Sequence, residues 1–199
     1  MIKDALQEEI PAVVAIADQL FGSNYLPFTY FEKALLNANL VFKIKKVDDE
    51  VVGFFVAERM DNVGLRKAFY TEANWVDDFV NRYKLKSHLL IKHVAVLPKF
   101  QNKKIASDFL MNLLNENQHQ QLNYWCICWE KKEVNHFTTL LEKMNFEKIK
   151  TILAFWKGDS IIKNYQCVDC ENFPCTCNAA IYFLPASNKM AFSSLDKLS

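Results

Sequence analysis

Four cysteines near the end of the chain are the residues whose type and spacing most clearly point to chemistry. They lie in the stretch "CVDCENFPCTC" with the spacing C-x2-C-x4-C-x-C, which takes four of the six cysteines of this 199-residue sequence. Four thiolates confined to one short loop match the tetrahedral all-sulfur shell of structural zinc. Because a closed shell leaves no open coordination position, the expected metal stabilises the loop and is not catalytic. Its predicted ligands are Cys167, Cys170, Cys175 and Cys177.

Four clustered cysteines can also form disulfides or hold an iron–sulfur centre, and the redox compartment of the protein affects which of these is expected. The first residues, "MIKDALQEEIP", carry charges and lack the apolar core of a signal peptide. No apolar run approaches the roughly eighteen residues of a membrane-spanning helix. We therefore expect a soluble, cytoplasmic protein with no membrane partner, in a reducing compartment that disfavours disulfides. Structural zinc is the prediction, and an iron–sulfur cluster is the alternative.

Lysines surround a second feature, the turn between Val96 and Ile105. Lys plus Arg number 24 and Asp plus Glu 23, so no overall positive field draws the protein to nucleic acid, and anion binding needs a local patch. Lys99, Lys103 and Lys104 provide such a patch. The apolar periodicity that follows predicts a helix, and the N-terminus of a helix leaves backbone N–H groups free to bind phosphate.

Alternating strand and helix patterns must position these residues. Ahead of the lysine turn, the sequence predicts a short strand at residues 2–5, a helix in "EEIPAVVAIADQLFG", a second helix after Pro27, a hairpin of "LVFKIKKV" and "VVGFFVAERM", a helical excursion at 61–86 and a strand "HLLIKHVAVLP". Behind the turn follow an amphipathic helix, the strand "LNYWCICWE", the helix "KKEVNHFTTLLEKMNF", the long strand "FEKIKTILAFWK" and, after the cysteines, the strand "AAIYFLP". This order predicts a mixed α/β sheet.

The segment "HVAVLPKFQNKKIASDFL" resembles motif A of the GNAT superfamily of acyl-CoA N-acyltransferases. In that motif a strand of the form V-x-V-x-P leads into Q/R-x-x-G-x-G/A at the N-terminus of a helix. The matching residues here are Val94, Val96, Pro98, Gln101, Lys104 and Ala106. The later stretch "VNHFTTLLEKMNF" is similar to the family's helix N-x-x-A-x-x-x-Y-x-x-x-G-F, with Phe146 at its last position. The order of elements agrees everywhere except in residues 61–86 and the cysteine cluster.

The resemblance implies a fold for the whole chain. We expect an α/β (α+β) protein with a GNAT-like mixed, mostly antiparallel central sheet flanked by helices. The excursion at 61–86 becomes a helical insertion, and the cysteine loop at 165–178 lies between the last two strands. Residues 1–199 then form a single acyltransferase domain.

The resemblance also implies an acetyl-CoA site. Pyrophosphate is expected on the backbone N–H groups of residues 102–106, and the pantetheine arm along the edge of the strand at 94–96. Asn135 is the expected side-chain contact to the pantetheine, and Asn145 or one of its neighbours is the second candidate. The full set of expected cofactor-binding residues is Val94, Ala95, Val96, Gln101, Asn102, Lys103, Lys104, Ile105, Ala106 and Asn135.

Two positions depart from the family pattern. Lys104 stands where the family usually has glycine, and its Cβ obstructs the approach of phosphate to the backbone unless its charge compensates. Leu141 stands where many members place a tyrosine that protonates the departing CoA thiolate. That loss is modest, because a thiol with a pKa of about 8.5 leaves tolerably as an anion near neutral pH.

An acceptor ammonium must lose its proton before it attacks a thioester, so a general base or a water relay is needed. The candidates are His93 on the central strand and Glu58 at the end of the hairpin, and Tyr124 is a candidate replacement acid. Each also has a structural interpretation, His93 as a core or edge residue and Glu58 as a solvated carboxylate.

Two other groups of residues have a functional and a structural interpretation. Cys126 and Cys128 point to the same face of their strand, either as small buried hydrophobes or as the site of an acetyl-cysteine intermediate. Residues 61–86 either form a lid whose Glu72, Asp77 and Asp78 attract a cationic amine, or a helix that packs its aromatic residues on the domain or on a second subunit.

The sequence therefore predicts an N-acetyltransferase that moves acetyl from acetyl-CoA to a primary amine by direct attack, with structural zinc and no nucleic-acid partner. The alternative is a GNAT-like acyl-CoA-binding or regulatory protein with weak or no catalysis, for which Lys104 and Leu141 are the arguments. A zinc-knuckle nucleic-acid binder is a third possibility that the near-neutral charge does not favour. The acceptor stays open, and the protein is expected to be a monomer or a homodimer.

Overall fold

The backbone is organised around one seven-stranded sheet. The computed structural model describes residues 1–130, 136–170 and 172–186, and within them the strand order is β1-β2-β3-β4-β5-β7-β6. All neighbouring strands are antiparallel except β4 and β5, which run parallel. The predicted fold class, a mixed and mostly antiparallel sheet flanked by helices, is confirmed.

The first five elements follow the sequence prediction. They are β1 (Ile2–Asp4), α1 (Ile10–Phe21), α2 (Phe28–Leu36), β2 (Leu40–Val47) and β3 (Glu50–Met60). Helix α1 ends at Gly22, whose φ of 112° lies in a region that side chains rarely adopt. A Cβ there would also lie 2.1 Å from the carbonyl oxygen of Gln166. Glycine therefore lets the chain after α1 pack against the segment that leads to the cysteines.

The central strands pair over only part of their length. Strand β4 (His88–Val96) pairs with β5 (Asn123–Glu130) only through residues 88–91 and 123–126. On its other side β4 pairs with β3, where Val56 lies opposite His93 and Ala57 opposite Ile91. Lys92 is therefore the extra residue of a β-bulge, which bends the strand at the point where it leaves β5.

The insertion at 61–86 is helical, as predicted. Helix α3 (Asn62–Ala68) and helix α4 (Ala73–Tyr83) cover the half of the sheet that contains β5. A buried hydrogen-bond chain anchors them there. The His88 Nε2 lies 2.7 Å from the Asn62 Oδ1, and the Trp125 indole N–H donates to the His88 Nδ1 at 3.1 Å. Burial lowers the pKa of His88 to about 4, so the ring stays neutral and keeps both hydrogen bonds.

Helices lie on both faces of the sheet. Helices α1 to α4 pack on one face. Helix α5 (Ile105–Glu116) and helix α6 (His136–Lys143) pack on the other, where Phe109 and Leu141 join the core beneath them. No helix in the described ranges is long and apolar enough to cross a membrane.

The end of the described chain differs from the prediction in one place. The stretch "FEKIKTILAFWK" was expected to be one long strand, but β6 (Glu147–Ile152) ends in a turn in which Ala154 has a φ of 47°. Helix α7 (Lys157–Lys163) follows, and the cysteine segment then leads into β7 (Asn178–Leu184). Phe155 and Trp156 pack into the core beside the insertion and do not extend the strand. Because they are apolar, the sequence pattern predicts that the strand continues through them.

Candidate active site and cysteine cluster

An unpaired backbone edge opens where β4 and β5 separate. The Leu97 N–H donates to the Val52 carbonyl of β3 at 2.9 Å. Along an antiparallel ladder, every second residue of a strand directs its backbone N–H and C=O groups at the same neighbouring strand. The backbone groups of His93 and Ala95 therefore face β3, whereas those of Val94 and Val96 face the gap. The Gln101 side chain donates to the Val96 carbonyl at 3.1 Å, in agreement with this orientation.

The gap leads directly to the N-terminus of α5. The first intrahelical hydrogen bond there joins the Asp108 N–H to the Lys104 carbonyl at 2.8 Å, so the N–H groups of residues 105–107 precede it. Among the described residues no side chain caps this end. Lys104 is the N-cap residue of α5, and Lys143 of α6 lines the same cleft. Unsatisfied amides, the helix dipole and the Lys104 ammonium group allow this end to bind an anion.

Lys104 has an unusual backbone conformation. Its φ is 63° and its ψ is 7°, in the left-handed region, and Asn102 has a φ of 59°. Asparagine tolerates this region, but a lysine there costs about 1 kcal/mol or more relative to glycine. The loop before α5 therefore keeps the backbone conformation that a glycine at position 104 would adopt, although the residue is lysine.

One cleft connects this end to the opposite face of the sheet. Its volume is about 860 Å³. On the α5 side, residues of β4, α5 and α6 line it, together with Cys126 and Cys128 of β5. On the α1 side the wall comes from the end of α1, from the loop after it and from the segment before the cysteines. The cleft therefore passes between the separated strands.

His93 lies on the α1 side of the cleft among aromatic rings. Its ring centroid is 6.1 Å from that of Phe21, 5.7 Å from that of Tyr25 and 5.5 Å from that of Tyr30. Burial, together with the ammonium groups of Lys92 and Lys163, lowers the pKa of His93 well below its usual value. The imidazole is therefore neutral at neutral pH and can accept a proton only transiently.

The four clustered cysteines lie beside this end of the cleft. Their sulfur atoms are all within 4.8 Å of one another, and Sγ–Sγ distances include 3.4 Å for Cys170–Cys177 and 3.8 Å for Cys167–Cys177. Zinc with Zn–S bonds of about 2.3 Å needs sulfur atoms about 3.8 Å apart, whereas a disulfide needs about 2.05 Å. Cys167 and Cys175 also line the cleft.

Neighbouring side chains hold the cluster against the sheet. Trp129 packs against the cluster, and the Cys175 N–H donates to the buried Ser160 hydroxyl at 3.0 Å. Tyr165 packs on Tyr25 with ring centroids 4.9 Å apart. These contacts join the cysteine segment to the loop after α1.

Comparison with known proteins gives a result for structure alone. No protein-family model and no curated protein matches the sequence. Solved structures do match. The Arabidopsis thaliana protein NAA60 in complex with a bisubstrate analogue gives a TM-score of 0.68 at 12% identity, over 93% of this chain and 97% of that one. The fold is that of the GNAT N-acetyltransferases.

Two further GNAT structures give similar values. The ribosomal-protein-S18-alanine N-acetyltransferase of Escherichia coli has a TM-score of 0.63 at 12% identity, over 94% of each chain. An agmatine N-acetyltransferase also has a TM-score of 0.63 at 12% identity, over 93% of this chain and 98% of the other. At such identities the similarity establishes the GNAT fold and leaves the activity to be argued from the site.

The three catalytic candidates occupy different places in this GNAT fold. His93 lines the cleft. Glu58 does not line the cleft, and its carboxylate is 2.8 Å from the Lys92 ammonium. Tyr124 is buried in the core beneath α5, where burial raises its pKa, and it does not line the cleft. The structure thus brings only His93 of these three to the cleft.

The expected cofactor-binding residues lie largely together. The lining of the cleft includes those at 94–96, 101, 102 and 104–106, whereas Lys103 lies outside it with its Nζ 4.9 Å from the Phe100 ring. Asn135 lies outside the described residues. Asn145 has a φ of 63° just after α6 and does not line the cleft.

Other residues singled out in the sequence have structural surroundings. Leu141 is completely buried, and its neighbour Leu140 faces the cleft. Glu72 is paired with Lys150 at 3.4 Å. None of the three insertion carboxylates, Glu72, Asp77 and Asp78, lines the cleft. The insertion packs its aromatic rings on the sheet, which agrees with the interpretation of residues 61–86 as a helix packed on the domain.

The Cys126 and Cys128 sulfur atoms lie 3.4 Å apart on the same face of β5, inside the cleft. Burial raises the pKa of Cys126 well above its usual value. A thiol that stays protonated is a poor nucleophile, so the surroundings of Cys126 do not favour an acetyl-cysteine intermediate.

Sequence reasoning missed the aromatic end of the cleft. Tyr25, Tyr165 and Lys163 meet there, but they come from segments about 140 residues apart in the sequence. The aromatic residues that flank the cysteines, such as Trp156 and Tyr165 before them and Tyr182 after them, are the sequence feature that could have indicated an aromatic pocket nearby. The pairing of those segments depends on Gly22 and on the sheet order, which the local pattern does not show.

Proposed function

We propose that this protein is an N-acetyltransferase that moves acetyl from acetyl-CoA to a primary amine by direct attack. The observation that carries the proposal is the continuous cleft from the uncapped N-terminus of α5, along the unpaired edge of β4, to the aromatic pocket around His93. An anion-binding end, a strand edge and an acceptor pocket follow one another in the order that an acyl-CoA thioester requires.

The cofactor end suits a pyrophosphate followed by an amide-bearing arm. The N–H groups of residues 105–107 and the Lys104 and Lys143 ammonium groups can hold the pyrophosphate. The N–H and C=O groups of Val94 and the N–H of Val96 can pair with the pantetheine amides as an added strand would, beside the Val96 carbonyl that Gln101 holds. The left-handed backbone at Lys104 keeps the path that glycine would give the loop, and the Lys104 ammonium group can offset the obstruction by its Cβ.

The chemistry proposed at the aromatic end is proton removal and attack. The acceptor amine attacks the thioester carbonyl carbon, and a C–N bond forms as the C–S bond breaks. The neutral His93 imidazole accepts the ammonium proton through a water molecule and passes it on to solvent. N–H groups on the open edge of β4 stabilise the negative charge that develops on the carbonyl oxygen. The CoA thiolate leaves as an anion, since its pKa is about 8.5.

The cysteine cluster fits a structural zinc ion in this proposal. Its four sulfur atoms can form a closed tetrahedral shell, and the chain beside it forms one wall of the aromatic end. When bound, the metal would fix the segment between α7 and β7. Cys167, Cys170, Cys175 and Cys177 would all act as ligands and none as a nucleophile.

Two measurements test the proposal together. In a thermal-shift titration, acetyl-CoA should raise the melting temperature, because a ligand at about 100 times its Kd adds about 2.7 kcal/mol to native-state stability. Mass spectrometry should then show acetyl transfer to a panel of amines with release of CoA. Absence of any shift with acetyl-CoA, CoA and longer acyl-CoAs would remove the cofactor assignment.

Binding without transfer would point to the alternative, a GNAT-like acyl-CoA-binding or regulatory protein. The complete burial of Leu141, where many members place a tyrosine, is the observation that keeps this alternative worth testing. The amine panel must therefore be broad, and it must include peptides with a free N-terminus as well as small amines.

A further inference from the structure

The walls of the acceptor end are aromatic and apolar. Its apolar and aromatic lining residues are Leu20, Phe21, Tyr25, Trp129, Trp156 and Tyr165, and the polar residues Lys92 and His93 line it as well. Such walls favour an amine that carries an apolar or aromatic body, because burying that body against rings is favourable and costs no polar desolvation.

Carboxylates do not line this end within the part of the chain that the structure describes. The two carboxylates near its rings are Glu58 and Asp159, and each is already paired with a lysine. Glu58 lies 2.8 Å from the Lys92 Nζ, and Asp159 lies 3.0 Å from the Lys163 Nζ. A substrate with several ammonium groups would therefore find no unpaired negative charge on the described walls.

The lysines of these two pairs also lie over tyrosine rings beside His93. The Lys163 Nζ is 5.2 Å from the Tyr25 ring centroid, and the Lys92 Nζ is 5.8 Å from the Tyr30 ring centroid. Both ammonium groups also act on His93, which lies between the two tyrosines. Both ammonium groups therefore lie beside the place where the acceptor amine must lie, where a second ammonium group on the acceptor would meet them.

We propose that the acceptor is a monoamine with an apolar or aromatic body, and that Lys92 and Lys163 disfavour amines that carry a second positive charge. This inference rests on the proposed acetyltransferase function and deepens it. A free small amine and the N-terminal residue of a peptide share this chemistry.

Tyr165 supplies a further contact for such an acceptor. Its side chain is 3% exposed and lines the cleft, and its buried hydroxyl has no hydrogen-bond partner among the described residues. A buried hydroxyl without a partner is costly. A neutral polar group on the acceptor, such as a peptide carbonyl or a ring hydroxyl, would satisfy it.

The test compares acceptors that differ in one charge. Hexylamine and 1,6-diaminohexane form one matched pair, and peptides that begin with phenylalanine or with lysine form a second pair. We expect kcat/KM to be at least roughly ten-fold higher for the monoamine in each pair, because placing like charges side by side is strongly unfavourable. Equal or faster turnover of the diamine and the lysine peptide would overturn the inference.

Charge reversal at one lysine gives a second, independent test. In Lys163→Glu the Tyr25 ring loses its ammonium and the acceptor end gains a carboxylate, so the preference for hexylamine over 1,6-diaminohexane should fall at least about ten-fold. Lys157→Glu makes the same charge change on the same helix, at a lysine that, unlike Lys163, does not lie over the Tyr25 ring, and should leave the ratio unchanged. An unchanged ratio in Lys163→Glu would contradict the role of this lysine.

Acetyl-CoA binding by the same preparations separates the two levels of the proposal. A protein that binds acetyl-CoA and acetylates diamines preferentially retains the proposed function and loses this inference. A protein that neither binds acetyl-CoA nor acetylates any amine loses both.

Discussion

Ile91 and Cys126 are the last residues that pair β4 with β5. Beyond them β5 continues beside β7, and β4 continues beside β3 with a bulge at Lys92. The sheet therefore stays intact on both sides of a gap in its middle. One side of that gap is an unpaired strand edge that leads to a helix N-terminus, and its far end is an aromatic pocket. The proposed chemistry depends on this single break in an otherwise continuous sheet.

The left-handed backbone at Lys104 gives a prediction about stability. Lys104→Gly should raise the free energy of unfolding by about 1 kcal/mol, because glycine adopts this φ without a Cβ clash. Lys103→Gly, which removes a neighbouring charge at a residue outside the left-handed region, should not stabilise the protein. Urea unfolding of both variants checks this. A Lys104→Gly protein less stable than wild type would show that the conformation carries no such cost.

The buried His88 predicts a pH dependence of stability. Its pKa falls from 6.5 in the unfolded chain to about 4 in the folded protein, so below pH 6.5 the unfolded state binds more protons. The free energy of unfolding should therefore fall as pH falls from about 6.5 to 4, by about 3 kcal/mol from this residue. His93 adds a change of the same sign.

Urea unfolding across that pH range measures the effect. His88→Gln should flatten the curve relative to wild type, even though the variant is less stable at pH 7. His119→Gln, at an exposed histidine, should keep the wild-type slope. If the free energy of unfolding of His88→Gln falls with pH as steeply as that of wild type, His88 is not the group responsible.

The element order and the place of the anion-binding turn could be predicted from sequence, because strand and helix periodicity and the lysines around Ile105 are local properties. The pocket around His93 could not, since Tyr25 and Tyr165 meet only after β7 inserts between β5 and β6. The early end of β6 also escaped prediction, because Phe155 and Trp156 continue the apolar pattern while the backbone turns at Ala154. The surroundings of the candidate base Glu58 could not be predicted either, because the β-bulge at Lys92 brings that ammonium group to 2.8 Å from its carboxylate.

Metal content tests the cysteine cluster. Elemental analysis should give about one zinc ion per chain, and a strong chelator should lower the free energy of unfolding by about 3 kcal/mol or more, which corresponds to roughly 10 °C in melting temperature. Cys170→Ser should lose the metal. Cys126→Ser changes a cysteine outside the cluster and should keep it. Metal-free protein with four freely titrating thiols in the cluster would rule out the metal.

The proposed role of His93 predicts a selective kinetic defect. His93→Gln should lower kcat by roughly 100-fold, the usual contribution of a positioned proton acceptor, while the Kd for acetyl-CoA stays unchanged. Glu58→Gln should have a smaller effect, since Glu58 lies behind Lys92 and outside the cleft lining. A His93→Gln enzyme with wild-type kcat would show that solvent removes the proton without this residue.

The most direct test of the central claim is the affinity for acetyl-CoA, measured by isothermal titration calorimetry on wild type and on Ala106→Glu. A carboxylate in the first turn of α5 favours the helix through its dipole, which offsets part of the packing lost at the half-buried Ala106, but it repels pyrophosphate. We therefore predict a folded protein whose affinity for acetyl-CoA is lower by roughly 100-fold. Asn115→Glu, at the exposed far end of the same helix, should bind like wild type. Equal affinity in all three proteins, or no binding by wild type, would contradict the account.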